Sequence, residues 1–252
     1  MMGSYYIASC SCGKDSLAMV LKLIFDHKPL DEIVFYDTGM EFMAIYKNWY
    51  ALKSFAEAFG IKCTVLKPKC PFEFKMFDKP VNVGKPNEHK GYSWCGGRCR
   101  WGTTEKLTAL DRYCEEKNAF CYVGIAADET ARLEKERKEY KIFPLNDWGM
   151  TESDCLIYCR NNGFQWLEYS PQTATGYVDL YDILDRVSCW CCGNKNLWEL
   201  RNIWYYLPKY WDELKRLQSK TNRPFKRKGT IFELEKLFVN GYRPKRRKRG
   251  AK

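Results

Sequence analysis

The sequence predicts an α/β fold built on a parallel sheet, with a helical elaboration toward the C-terminal end. Three features carry that expectation. Short apolar runs alternate with longer segments of helical apolar spacing from Tyr5 to Gly124. Successive strand–helix–strand passages imply parallel pairing through crossovers. A content of 45% hydrophobic residues, with 14 Phe, 17 Tyr and 9 Trp in 252 positions, is enough for a true core. In order, Tyr5–Cys10 reads as a short buried strand. Ser16–Phe25 follows as a helix with Leu17, Val20, Leu21 and Ile24 on one face. Glu32–Tyr36 is a second strand, and a helix from about Glu41 to Phe59 stops at Gly60, a natural C-cap residue. Ile61–Leu66 is a third strand. Residues 67–102, rich in Pro, Gly and Lys, carry no periodic signal. Thr103–Lys117 reads as a helix capped by Thr103 or Thr104, and Phe120–Gly124 returns as a strand. The remainder reads as mainly helical, over Glu152–Asn162, Lys195–Leu207, Tyr210–Gln218 and Thr230–Val239. Gly176–Asp185 is ambiguous.

Charge is unevenly placed. The net charge is +11, yet residues 1–214 hold 27 Lys/Arg against 29 Asp/Glu. Residues 215–252 hold 15 Lys/Arg against only Glu233 and Glu235. A nearly neutral body with a cationic end points to a polyanionic partner, most simply nucleic acid. No apolar run approaches the roughly 20 residues that span a bilayer. The first ten residues lack the charged and apolar regions of a signal peptide. The expectation is a cytoplasmic protein with no membrane partner. Thirteen cysteines, an odd number, then read as buried, reactive or metal-bound rather than as a disulfide scaffold. With only His27 and His89 present, a metal site must rely on thiolate, which favours iron–sulfur or zinc.

The segment Ser9-Cys10-Ser11-Cys12-Gly13-Lys14-Asp15-Ser16 joins the first strand to the first helix. Hydroxyls and free backbone N–H groups at such a junction cradle an anion, and the helix dipole reinforces them. Gly13 permits close backbone approach, Lys14 supplies charge to a phosphate, and Asp15 fits beside phosphate if magnesium bridges the two. The loop is not a Walker A motif, because the earlier glycine and the Gly-Lys-Ser/Thr ending are absent. It resembles instead the PP-loop, Ser-x-Gly-Gly-x-Asp-Ser, of the adenine-nucleotide α-hydrolase superfamily. Ser11, Gly13, Asp15 and Ser16 match, and Cys12 stands at the first glycine.

Three further segments resemble the phosphoadenosine phosphosulfate (PAPS) reductase-like family of that superfamily, in the same order. They are Asp37-Thr38-Gly39-Met40-Glu41-Phe42, then Gly124-Ile125-Ala126-Ala127-Asp128-Glu129-Thr130-Ala131-Arg132, then Pro144–Trp148 with Thr151–Asp154. The resemblance implies a parallel-sheet PP-loop ATP pyrophosphatase fold with nucleotide at the C-terminal ends of the strands. It makes Lys14, Asp15, Asp128 and Arg132 the candidate catalytic residues. Ser9, Ser11, Gly13, Lys14, Asp15, Ser16, Asp37, Thr38 and Gly124 become candidates for holding ATP and magnesium. Ala126 replaces an arginine common in the family.

Trp94-Cys95-Gly96-Gly97-Arg98-Cys99 and Ser188-Cys189-Trp190-Cys191-Cys192-Gly193 supply two close groups of thiolates. The second group resembles the Gly-Cys-x-x-Cys segment of iron–sulfur members, which implies a 4Fe–4S cluster on Cys95, Cys99, Cys189 and Cys192. Structural zinc on the same ligands is the alternative, and Cys191 leaves the choice within the second group open. Cys63, Cys114, Cys121, Cys155 and Cys159 read as core residues.

The expected organisation is a nucleotide-binding α/β region over 1–186, a cysteine-containing helical region over 187–242 and a basic tail over 243–252. The functional expectation is an enzyme that cleaves ATP between the α and β phosphates and modifies nucleic acid with sulfur. A sulfur-donor protein is the further partner it implies. It is similar to the iron–sulfur PP-loop ATPases of DNA phosphorothioation and to tRNA thiolases. A sulfonucleotide (PAPS or APS) reductase is the alternative, although such enzymes carry a C-terminal nucleophilic cysteine and no cysteine follows Cys192 here. A non-catalytic nucleic-acid-binding protein with structural zinc is the third reading.

Overall fold

A computed structural model describes residues 5–94, 99–134 and 138–246 of the chain. In chain order the elements are β1 (Tyr6–Ser9), α1 (Lys14–Phe25), β2 (Glu32–Tyr36), α2 (Met43–Ala58), β3 (Lys62–Leu66), β4 (Pro80–Val81) and β5 (His89–Lys90). There follow α3 (Glu105–Glu116), β6 (Phe120–Val123), α4 (Thr130–Leu133), β7 (Lys141–Ile142), α5 (Pro144–Asp147) and α6 (Glu152–Asn161). The last part holds β8 (Leu167–Tyr169), β9 (Tyr177–Asp179), α7 (Leu180–Ile183), α8 (Leu197–Tyr206), α9 (Pro208–Gln218) and α10 (Ile231–Val239).

The chain divides into two compact units that interleave along the sequence, where the sequence reading divides it consecutively at 186 and 242. One comprises Met1–Pro68 and Gly102–Trp166, the other Lys69–Trp101 and Leu167–Lys252. The first unit is the expected α/β layer. Its five strands lie in the order β3–β2–β1–β6–β7, and every pair is parallel. Strand β2 is buried along its whole length, as a central parallel strand covered on both faces must be. From β1 the chain steps through β2 to β3 on one side, and β6 and β7 lie on the other. The order therefore reverses at β1, and the loops leaving β1 and β6 diverge from a crevice at their C-terminal ends. On one face Leu110 and Cys114 of α3 pack with Ile7, Val34 and Cys121. Helix α1 packs against α6.

Local signals account for most boundaries. Helix α2 ends as its sequence predicts. Gly60 takes φ +75°, and the N–H groups of Gly60 and Ile61 donate to the carbonyls of Glu57 and Ala56. Reciprocal side-chain and backbone hydrogen bonds start α6 at Thr151/Asp154, α8 at Asn196/Glu199 and α10 at Thr230/Glu233. Pro208 occupies the first turn of α9, where its missing N–H costs nothing.

The structure corrects the sequence reading at Thr104 and Cys63 and fills it in elsewhere. Thr104 does not cap α3 with its side chain, because a wide turn over Arg100–Thr104 already carries it into helical dihedrals. The unassigned 67–102 region holds a similar turn at Phe74–Asp78 and the antiparallel pair β4–β5. The mainly helical chain after Gly124 also holds strands: β7 adds the fifth sheet strand, β8–β9 form a hairpin, and the ambiguous Gly176–Asp185 stretch divides into β9 and α7. Cys114, Cys121, Cys155 and Cys159 are buried as expected, whereas Cys63 on β3 is only half-buried. Among the described residues no helix is long and apolar enough to cross a membrane.

The second unit gathers α7–α10 with both hairpins. Trp211 is buried, and it and Trp204 each pack 5.8 Å from the Phe238 ring of α10. These two tryptophans therefore build the helix core.

Candidate functional site

The loop from Ser9 to Ser16 sits at the reversal point of the sheet. Gly13 is the extended residue before α1, and no side chain caps the helix there. Its first-turn N–H groups thus keep the anion-binding capacity of a helix N-terminus. The loop is held from within: Ser11 donates its backbone N–H to Ser16 Oγ at 3.1 Å, and the two hydroxyl oxygens also lie 3.1 Å apart. Ser16 Oγ in turn donates to the Gly13 carbonyl at 3.2 Å. It is also held from beneath, where Trp166 Nε1 donates to the Cys12 carbonyl at 2.8 Å and the Cys159 thiol to the Lys14 carbonyl at 3.3 Å.

Cys12, standing at the first glycine of the motif, has φ +54° and is fully buried. That left-handed backbone is the physical reason a glycine suits the position. Its Sγ lies 3.8 Å from that of Cys10. Hydrogen bonding to Cys12 lowers the Cys10 thiol pKa, while desolvation holds the Cys12 thiol well above the ordinary range.

Gly124 leaves β6 against the start of α1. A Cβ there would lie 2.8 Å from Ser16 Cα and 2.9 Å from Ser16 N, so only glycine lets the two loops close on each other. The loop that follows turns back toward α6: Ala127 N–H donates to the Met150 carbonyl and Glu152 N–H to Asp128 Oδ1, at 2.8 and 3.0 Å. Asp128 thereby anchors the first turn of α6.

These contacts assemble a constellation that sequence reasoning did not single out. Oxygen atoms of Asp15, Glu129 and Glu152 all lie within 4.8 Å of one another. Lys14, largely buried, places Nζ 2.6 Å from Asp15 Oδ1 and 3.3 Å from Glu152 Oε2. Desolvation by burial pushes the Asp15 carboxyl pKa up, Lys14 pulls it down, and Glu152 and Glu129 push it up again. Lys14 bridges Asp15 and Glu152, and three hard oxygen donors gathered this closely are the kind of donor set that a magnesium ion takes. Glu129 and Glu152 both lie inside the segments that carry the family resemblance, but more than a hundred residues separate them from Asp15.

The other predicted residues occupy distinct places. Asp37 Oδ1 accepts from Gly39 N–H at 2.8 Å and from Tyr46 Oη at 2.7 Å, while Thr38 Oγ1 donates to Glu41 at 2.9 Å. Both shape the turn from β2 into α2. Arg132 pairs with Glu129 at 2.6 Å and shares a cavity of about 240 Å³ with Ser9, Asp111, Cys121 and Lys141. Cys95 lies outside the described residues. Cys99, Cys189 and Cys192 belong to the second unit and are half-buried, and Cys191 is buried. Trp94 Nε1 donates to Gln218 Oε1 at 3.0 Å and its ring meets Phe225 edge-on at 4.6 Å. The neighbouring Lys226 donates to the Gly193 carbonyl at 2.6 Å. The 218–226 segment thus contacts the residues flanking both cysteine groups. Thiolate donors of this kind suit iron–sulfur or zinc.

The fold and crevice define a class: an open parallel α/β protein with an uncapped strand–loop–helix junction and a carboxylate cluster at the reversal point. No family model matches the chain. It is 27% identical over 209 residues to an uncharacterized protein of Methanocaldococcus jannaschii, a match covering 81% of this chain and 39% of that protein. The chain therefore spans well under half the length of that relative. Among solved structures it aligns with the U34-tRNA thiolase NcsA of Methanococcus maripaludis, determined with its 4Fe–4S cluster. That alignment has a TM-score of 0.43 and 16% identity, and covers 94% of this chain and 71% of the thiolase.

Proposed function

We propose that this chain is an ATP-dependent enzyme of the PP-loop, PAPS reductase-like type that activates an oxygen of a nucleic acid for replacement by sulfur. The observation that carries the reading is the meeting of the Ser11–Ser16 loop, the Gly124–Arg132 loop and the start of α6 at one reversal point, with Asp15, Glu129 and Glu152 drawn together. In this reading the substrate oxygen attacks the α-phosphorus of ATP, pyrophosphate departs, and a sulfur nucleophile from a donor protein then displaces AMP. The first turn of α1 and the Ser11 and Ser16 hydroxyls orient the phosphates, and Lys14 offsets charge on the departing pyrophosphate. Asp15, Glu129 and Glu152 would hold magnesium, which supplies Lewis-acid stabilisation of the phosphates. Arg132, which lines a cavity with Ser9, would meet the second substrate, and Ser9 belongs with the nucleotide-binding loop. The cysteines Cys95, Cys99, Cys189 and Cys192 would hold a 4Fe–4S cluster, with zinc as the alternative metal.

The test is anaerobic purification of the full chain, metal analysis, and assay of magnesium-dependent pyrophosphate release from ATP with a mixed RNA substrate. Brown protein with about four irons per chain, together with pyrophosphate release that falls at least about a hundredfold in Asp15→Asn, is expected. Pyrophosphate release unchanged in that variant would remove the loop from the mechanism. Colourless protein with one zinc per chain would replace the cluster by a structural metal.

A further inference from the structure

The second unit carries a groove that the chemistry above does not use. It has a volume of about 770 Å³ and opens at the N-terminal end of α8. Five cations line it, Lys226, Arg227, Lys228, Lys245 and Arg246, together with two aromatic rings, Trp198 and Tyr242, and, among the described residues, no carboxylate. The aromatics are already organised for cationic company. The Arg246 guanidinium lies 4.5 Å from the Trp198 ring centre, with Nε held at 2.8 Å by Asp185. Lys228 Nζ lies 4.4 Å from the Tyr242 ring centre and 2.9 Å from its hydroxyl. Lys226 is committed to the Gly193 carbonyl, and desolvation lowers its pKa. Arg227 and Lys245 are exposed and, among the described residues, bind no other group. At the helix end, the Asn196/Glu199 box takes up two N–H groups, and those of Leu197 and Trp198 have no intrahelical partner. Glu199 is folded inward, where it also accepts from the backbone N–H groups of Asp185 and Arg186.

We infer that this groove binds single-stranded nucleic acid, with Arg227, Lys228 and Lys245 on successive phosphates and the Trp198–Arg246 stack as the platform for a base. The inference rests on the nucleic-acid substrate class proposed above, and gives that substrate a place and a strandedness. Exposed cations such as Arg227 and Lys245, in a lining where Asp185 engages Arg246, select a polyanion. Aromatic faces inside the same concavity select one whose bases are unstacked, because a duplex buries the base faces that would stack. The cavity lies within the range of roughly 300–1,000 Å³ that encloses small ligands, which suits a nucleotide or two of a strand and not a double helix.

The experiment is anisotropy titration of the full chain with a labelled single-stranded oligonucleotide about ten residues long, without ATP, across a salt series. The groove variant Arg227→Ala/Lys228→Ala/Lys245→Ala is compared with a charge-matched control, Lys28→Ala/Lys47→Ala/Lys85→Ala, drawn from exposed positions elsewhere. The groove variant is expected to bind about tenfold more weakly or worse and to lose about two units of salt slope, since each single-strand phosphate contact contributes roughly 0.7. The control should change by less than about twofold. Trp198→Ala should weaken binding about tenfold with the salt slope intact, because stacking releases no counterions; thermal melting checks that each variant is folded. The inference is overturned if the two triple variants behave alike, if a duplex or a polyglutamate peptide competes as well as the single strand, or if the full chain binds no single strand at low salt. Because this assay contains no ATP, groove binding without pyrophosphate release would sink the catalytic reading and leave the groove. Pyrophosphate release with an indifferent groove variant would do the reverse.

Discussion

The two ends of one parallel sheet hold carboxylates in opposite electrostatic conditions. At the N-terminal edge Glu32 opens β2 with a side chain fully removed from solvent. It accepts hydrogen bonds from Tyr5 at 3.1 Å, from Tyr113 at 2.8 Å and from Thr64, and pairs with Lys62 at 3.0 Å and Lys117 at 3.6 Å. Against the desolvation of burial, the bonds from Thr64, Lys62, Tyr113 and Tyr5 hold its carboxyl down at about 2. At the C-terminal edge Asp15 has one ammonium and two carboxylate neighbours, and burial drives its pKa up. Two acids of one charge type, one buried and one half-buried, thus serve different ends. The first is saturated with donors and fastens β2, β3, α3 and Tyr5 at the entry to β1 together. The second is left short of positive charge, which is how a site keeps capacity for a cation.

Removing the saturated carboxylate should break this contrast most severely. Glu32→Ala strands two lysines, two tyrosines and a threonine around an empty position, and is expected to cost about 3–5 kcal/mol in urea unfolding. Its pH dependence carries the same signature. A carboxyl pKa lower in the folded than in the unfolded state stabilises the fold above the ordinary value of 4.5, and that stability drains away as pH falls toward about 2. Glu32→Gln should flatten this acid limb, and an unchanged limb would show that other carboxylates govern it.

Next in size is Gly124→Ala, which forces a Cβ into the backbone of Ser16. A destabilisation of about 1–3 kcal/mol is expected, with a larger proportional loss of ATP affinity, measured by calorimetry, because the displaced atoms belong to the phosphate loop. Equal ATP affinity would separate the two loops functionally. Smallest is Asp15→Asn. The raised carboxyl pKa means that the ionised form is disfavoured by folding, so this carboxylate subtracts from stability at neutral pH and the deficit is relieved as pH falls. The variant should therefore lie within about 1 kcal/mol of the parent at neutral pH, on the stable side, even as pyrophosphate release collapses. A marked loss of stability would make Asp15 a structural acid like Glu32.

Sequence alone determined the order of the first three strands and two helices, because their signals are local. Alternating apolar periods and the C-terminal glycine Gly60 each act within a few residues. It also marked the Ser9–Ser16 junction, since hydroxyls, a glycine and a lysine between a strand and a helix start suit an anion; that no side chain caps the helix there came from the structure. What tertiary structure decided lies beyond local reach. Strand β7 is two residues long and too short for any period, and exists because Cys121 and Tyr122 of β6 offer it a parallel edge. The left-handed backbone of Cys12 is held by Trp166 from more than 150 residues away. Glu32 sits at the head of an apolar strand with nothing beside it in sequence to show that its partners come from β3 and α3. The convergence of Glu129 and Glu152 on Asp15 arises only when the reversal of strand order at β1 brings the β6 loop and the start of α6 to one crevice. Charge pairing acts over a few ångströms in space, and distance along the chain does not report it.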